Sequence, residues 1–255
     1  MLLGLIVYLI GQRHLPPDHT TSVPKVKKGV AAEKPPRAAM TPAERASLLA
    51  LCALCAINAL FWAVYEQQGN TMQLWASNQT IWPTIFGWQI PSTWFQSLNA
   101  FMIFLFTPLV TFFWAKQAKQ GKEPSSVVKM AIGCTILGIS FIVMAIGAKV
   151  VGDGKGSLLW PLVSTSMLTF GELYLSPIGL SLVTKIAPAR MVSMMMGVWF
   201  LANAFGNYLS GYIGSYYSRM PKTSFFLLLT VLGIAAGLAI WAFNRPLRRA
   251  MGKEL

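Results

Sequence analysis

The run FGELYLSPIGLSLVTK, residues 170–185, decides how this chain is read. Working outward from it, Ser157 to Ile186 is apolar enough to cross a bilayer, yet Glu172 stands near the middle. A carboxylate at membrane depth is costly and by default marks a functional site. Pro177, five residues on, removes a backbone donor and is expected to kink the helix. The carbonyl it strands one turn earlier is tolerated only against protein or water. Glu172, Ser176 and Gly179 recur at i, i+4 and i+7, a polar and small stripe that suits a cavity wall or a close helix contact. Glu172 is expected to face a water-filled cavity and bind a cationic group there; the structural alternative is an acid paired with a neighbouring helix.

Composition supports the membrane reading. Hydrophobic residues make up 55% of the 255 and charged residues 11%, where a soluble domain carries about 25% charged. The class is integral membrane and helical, since a bilayer leaves no water for unpaired backbone groups. Six spans are expected, at about Ala43–Trp75, Trp94–Lys116, Ser126–Val150, Ser157–Ile186, Met191–Tyr217 and Ser224–Asn244. The six-helix body is bounded at 43–244.

Ahead of it, residues 1–11 (MLLGLIVYLIG) are apolar but too short to span. They lack the basic start and cleavage site of a signal peptide. They are expected to be the tail of a preceding helix, so the chain is expected to be part of a longer one. Residues 12–42 hold six prolines and a run of basic residues without apolar periodicity, which reads as an extended linker. Thr41-Pro42-Ala43-Glu44 then reads as an N-cap, a first-position proline and a first-turn acid. Residues 245–255 form a basic tail.

The net charge of +13 would suit a nucleic-acid binder were it not for its placement. Of the 21 Lys and Arg, 17 fall on the side that holds residues 12–42, 116–129, 185–190 and the tail, and only Lys149, Lys155, Arg219 and Lys222 on the other. This is the positive-inside pattern. It puts both termini in the cytoplasm and the protein, multi-pass, in the plasma (inner) membrane. No nucleic-acid partner is expected.

Of eight acids, Glu66 and Glu172 alone lie within spans, with no Lys or Arg deep in any of them. Their positive partner is left to substrate, protons or a further part of the protein. Glu66 lies in FWAVYEQQGNT (61–71), with Trp62 and Gly69 on its face. It either sits solvated at the outer end or stays at membrane depth, because the apolar pattern continues past Gly69. Asn99, in FQSLNA (95–100), is either a helix–helix hydrogen bonder or a cavity wall. Trp199 and Asn203 share a face with Phe200 beside them, fit for packing or for lining a pocket. Gly206, Ser210 and Gly214, like Gly233 and Gly237, have the spacing of close helix contacts. Cys52 and Cys55 form a C-x-x-C without a second pair or a His cluster, and read as packing. Both histidines fall in the linker, and no nucleophile–base pair or phosphate loop is present. Neither an enzyme nor a cofactor is expected.

The four stretches FWAVYEQQGNT, FQSLNA, GELYLSPIGLSLVTKIAP (171–188) and MMGVWFLANAFGN (195–207), in order and on separate spans, closely resemble the C-terminal half of the proton-coupled oligopeptide transporters (POT/PTR) of the major facilitator superfamily. The resemblance runs from Ala43 to Phe243. It implies a six-helix transporter half that works with a missing N-terminal six-helix half, importing di- and tripeptides with protons. By position, Glu172 resembles the acid that holds the peptide amino terminus, and Asn99 its hydrogen-bonding neighbour. Glu66 resembles the acid linked to inter-domain pairing and proton coupling. Trp199, Phe200 and Asn203 match pocket-lining positions, with Ser176 and Trp62 beside the two acids completing the expected site. Other readings stay open: a non-transporting receptor or scaffold on the same fold, or a relative moving nitrate or other small solutes.

Overall fold

The structure is a computed structural model that describes residues 2–11 and 40–251, with side chains over 7–11 and 40–244. Most of the expected linker (12–39), both histidines and the end of the basic tail (252–255) lie outside the described residues. Residues 1–39 and 40–255 are two separate units. In the first, Leu2–Gly11 forms helix α1.

The second unit is built from α2 (Pro42–Tyr65), α3 (Thr71–Asn78), α4 (Phe95–Lys119), α5 (Ser126–Val151), α6 (Leu159–Ile186), α7 (Val192–Gly214) and α8 (Lys222–Met251). The six expected spans are all present, with α2 and α3 together forming the first. Five of them, Pro42–Asn78 and helices α4, α5, α6 and α8, are long and apolar enough to cross a membrane. Helix α7 has the length but carries Asn203 and Asn207 in its middle, which lowers its apolarity. The chain is an all-α, multi-pass membrane protein.

Local chemistry explains the ends. Thr41 caps α2 as expected: its hydroxyl accepts from the Glu44 N–H at 3.2 Å, and Glu44 Oε2 accepts from the Thr41 N–H at 2.9 Å. This reciprocal pair satisfies two otherwise orphaned donors. The guanidinium of Arg190, between α6 and α7, donates to the same Glu44 oxygen at 2.7 Å. On the opposite side, two-residue strands decorate the loops: β1 (Thr80–Ile81) pairs in parallel with β4 (Gly156–Ser157), and β2 (Thr84–Ile85) antiparallel with β3 (Trp88–Gln89).

One expectation about helix continuity changes. The first span is not one helix: a 3-10 turn at Glu66–Gln68 follows α2, and Asn70 leaves helical geometry at φ −107°, ψ −92°. Gly69, Asn70 and Thr71 are weak helix formers in succession, so the ladder lapses there. Pro177 lies inside α6, which continues on both sides of it.

The core lies where α5 meets α8 and α6, and where α2 meets α7 and α8. Helix α4 packs chiefly on α6, and only 6% of its apolar stretch is buried. It turns Phe101, Phe104 and Phe112 outward.

Candidate functional site

The site forms where the break in the first span faces α4 and α6. Helix α2 ends in Phe61-Trp62-Ala63-Val64-Tyr65, and the three rings pack on one another. Phe61 stacks on Tyr65 at 5.7 Å between centroids, and Trp62 meets Tyr65 edge-on at 5.2 Å. This clamp aims the buried Tyr65 across the interface, where its hydroxyl donates to Glu172 Oε2 at 2.7 Å. Asn99 on α4 donates to the same oxygen at 3.2 Å. Its amide is oriented by Thr169, one turn before Glu172 on α6, whose hydroxyl accepts from Asn99 Nδ2 at 3.1 Å. Tyr65 and Asn99 also approach each other at 3.4 Å.

Glu172 is thus half-buried and held at one oxygen by two neutral donors of the same bundle. Its other oxygen, Oε1, has no hydrogen-bond partner among the described residues. A carboxylate accepts at up to about four lone-pair positions, so this group keeps capacity for a further donor.

Glu66 sits in the 3-10 turn itself, half-buried, and borders a polar cavity of about 190 Å³. Tyr65, Gln68, Gly69, Gln96 and Asn99 complete its lining. The cavity is roomy enough for several waters at about 30 Å³ each. Gln68 is 7% exposed and its Oε1 has no hydrogen-bond partner among the described residues. The break is fastened to α7 by Gln67, whose amide donates to the Ser210 carbonyl at 2.8 Å and hydroxyl at 3.0 Å. Thr71 in turn donates to Gln67 Oε1 at 2.9 Å.

The ion pairs among the described residues are Lys129–Glu123 and Arg190–Glu44; neither Glu66 nor Glu172 is in one. No group of His, Cys, Asp and Glu suited to a metal occurs among the described residues.

Trp62 belongs to the clamp on Tyr65, and the remaining expected residues make other contacts. Trp199 is buried against α6, its ring lying where a Cβ on Gly179 would be. Phe200 is 56% exposed on α7. Asn203 accepts from the Asn58 side-chain amide of α2 at 3.3 Å. Trp62 lies against Gly206 of α7, with its buried indole N–H unpartnered. Ser176 is half-buried one turn beyond Glu172. The structure therefore joins Glu172, Asn99 and, through the shared cavity, Glu66, and leaves the α7 residues in helix packing or on the α7 surface. It adds Tyr65, Thr169, Gln68 and Gln96. Tyr65 had a signal in the sequence, a phenol beside an intramembrane acid; Gln96 and Thr169 had none until two helices were brought together.

Residues 16–230 match the sequence model of the POT family. The chain belongs to the POT family. Among relatives, the peptide transporter YePEPT of Yersinia enterocolitica is 38% identical over 84% of this chain and 43% of its own length. A di-/tripeptide transporter of Lactococcus lactis subsp. cremoris is 32% identical over 82% of this chain and 42% of its length. The solved peptide transporter POT in complex with sulfate superposes with a TM-score of 0.75 at 31% identity, covering 83% of this chain and 42% of that one. A POT family transporter in complex with 5-aminolevulinic acid gives 0.73 at 30% identity, over 81% and 43%. The chain spans about two fifths of the length of these proteins, and its bundle is a six-helix half of a major-facilitator-type fold.

Proposed function

We propose that this chain is the C-terminal half of a proton-driven di- and tripeptide importer of the inner membrane, with both ends of the half in the cytoplasm and no enzymatic activity. One observation carries the reading: Glu172 is fixed by Tyr65 and Asn99 at Oε2, and among the described residues Oε1 is unengaged and no cation pairs with it. An ammonium group is the complement of such a site, because its three donors meet a pre-oriented charged acceptor. A peptide supplies one at its amino terminus. Its carboxylate would be met by cations of the N-terminal half, and a ligand that bridges two halves contacts them differently in open and closed states, which is what biases alternating access.

Glu66, at the break and beside a polar cavity with room for water, suits a proton carrier. It would exchange an inter-domain ion pair for a proton as the halves rock. Trp62, Ser176, Trp199, Phe200 and Asn203 would complete the peptide's surroundings once both halves are assembled.

The test is uptake by the full-length protein in proteoliposomes. Glu172→Gln is expected to abolish uptake of dipeptides with a free amino terminus; unchanged uptake would end the reading. Glu66→Gln is expected to keep peptide counterflow while losing accumulation driven by a pH gradient.

A further inference from the structure

We infer that the hydroxyl of Tyr65 is a positioning group that turns the Glu172 carboxylate so that Oε1 is offered to the ligand. This rests on the reading of Glu172 as the ammonium site. Three features of the geometry support it. The two donors Tyr65 and Asn99 converge on one oxygen, leaving the other open. The Tyr65 contact is the shorter, 2.7 Å against 3.2 Å. And the Tyr65 ring, 9% exposed, is gripped by Phe61 and Trp62, so the hydroxyl arrives at Oε2 with little freedom. A tyrosine has two rotatable side-chain bonds, and packing has fixed both. An asparagine amide, hung between Thr169 and Glu172, holds less firmly.

The same phenol borders the cavity of Glu66. It therefore ties the orientation of one intramembrane acid to the wall of the other's cavity. A ligand ammonium at Oε1 would leave Tyr65 in place, where a ligand competing for Oε2 would have to expel it.

Tyr65→Phe removes only the hydroxyl and keeps the ring packing. In full-length protein reconstituted in liposomes, KM for alanyl-alanine is expected to rise about tenfold with kcat nearly unchanged, the effect of one hydrogen bond to a charged group. Discrimination between alanyl-alanine and its N-acetyl derivative, read by competition, is expected to shrink by the same factor. A general structural role would instead lower kcat and both affinities together. An unchanged discrimination ratio, or a KM that falls because the hydroxyl had been competing with the ligand, overturns the inference. If Glu172→Gln itself leaves uptake intact, the underlying reading fails first. Should the Phe variant not fold, Thr169→Val loosens Asn99 and leaves Tyr65 in place: discrimination is expected to hold within about threefold, and a tenfold loss there would give the positioning role to Asn99 instead.

Discussion

Two interfaces in this bundle use the same four-residue spacing of small residues and pack in different ways. On α8, Gly233 meets only backbone, and Gly237 meets backbone and one short side chain. A Cβ on Gly233 would lie 2.7 Å from Gly138 Cα, and one on Gly237 2.5 Å from the Thr135 hydroxyl and 2.9 Å from the Ala131 carbonyl. On α7, Gly206 and Gly214 meet side chains as well: Trp62 Cβ at 2.5 Å and the Asn70 amide at 2.3 Å, with Ser210 between them hydrogen-bonded to Gln67. At Gly233 the α5–α8 contact is main chain on main chain, with no group that can rotate away. The α2–α7 contact is close to main chain at Gly206, and toward Gly214 it runs through side chains that border the break at Glu66. One sequence pattern thus builds a rigid seam at Gly233 and a more adjustable one toward Gly214.

The largest effect is expected on the rigid seam. Gly233→Ala places a methyl against Gly138, where relief requires the helices to part. Alanine is favoured over glycine inside a helix by about 0.5–1 kcal/mol, but overpacking a closed contact costs about 1–3 kcal/mol or more. A clear drop in thermal midpoint in detergent is expected, and little or none would show that the seam yields.

How much of this was legible beforehand follows from the same contrast. The spacing of Gly206, Ser210 and Gly214 announced a close contact, and so did Gly233 and Gly237, because spacing encodes which side of a helix is bare. It does not encode what comes to fill that side. Trp199 and Gly179 illustrate the gap: spacing left each open to packing or to a cavity face, and only the fold shows that together they form a lock between α6 and α7. Glu172 and Asn99 were legible because a polar group in an apolar span must have a reason. The break at Glu66 was not, because Met72, Leu74 and Trp75 carry the apolar pattern across it. A hydrophobic pattern reports burial, and burial continues through a 3-10 turn as easily as through a helix.

An intermediate effect is expected at Gln67, the polar rivet of the adjustable seam. It is fully buried and bonds Ser210 and Thr71. Gln67→Leu keeps much of the volume but leaves the Thr71 and Ser210 hydroxyls to find new partners, a loss of about 1–3 kcal/mol. The double variant Gln67→Leu with Ser210→Ala should be destabilised by less than the sum of its parts, since both substitutions delete the same bond. Strict additivity in a melting series would mean the contact does not bind the two helices.

The smallest effect is expected where the same seam meets a side chain at its end. Gly214 is the last residue of α7, and the obstacle to a Cβ there is the far end of Asn70. Asn70 stands in the break, outside helical geometry, and its side chain makes no capping hydrogen bond to α3. It can swing aside without giving up a cap. The helix preference for alanine then offsets the small shift, and Gly214→Ala is expected to stay within about 1 kcal/mol of the parent. The comparison with Gly233→Ala is the point: both substitutions add one methyl to a glycine in a close helix contact, so a difference between them isolates what stands opposite. Equal losses in thermal midpoint would mean that the break at Glu66 is held as rigidly as the outer pair, and Glu66 would then lack the freedom that exchanging an ion pair for a proton requires.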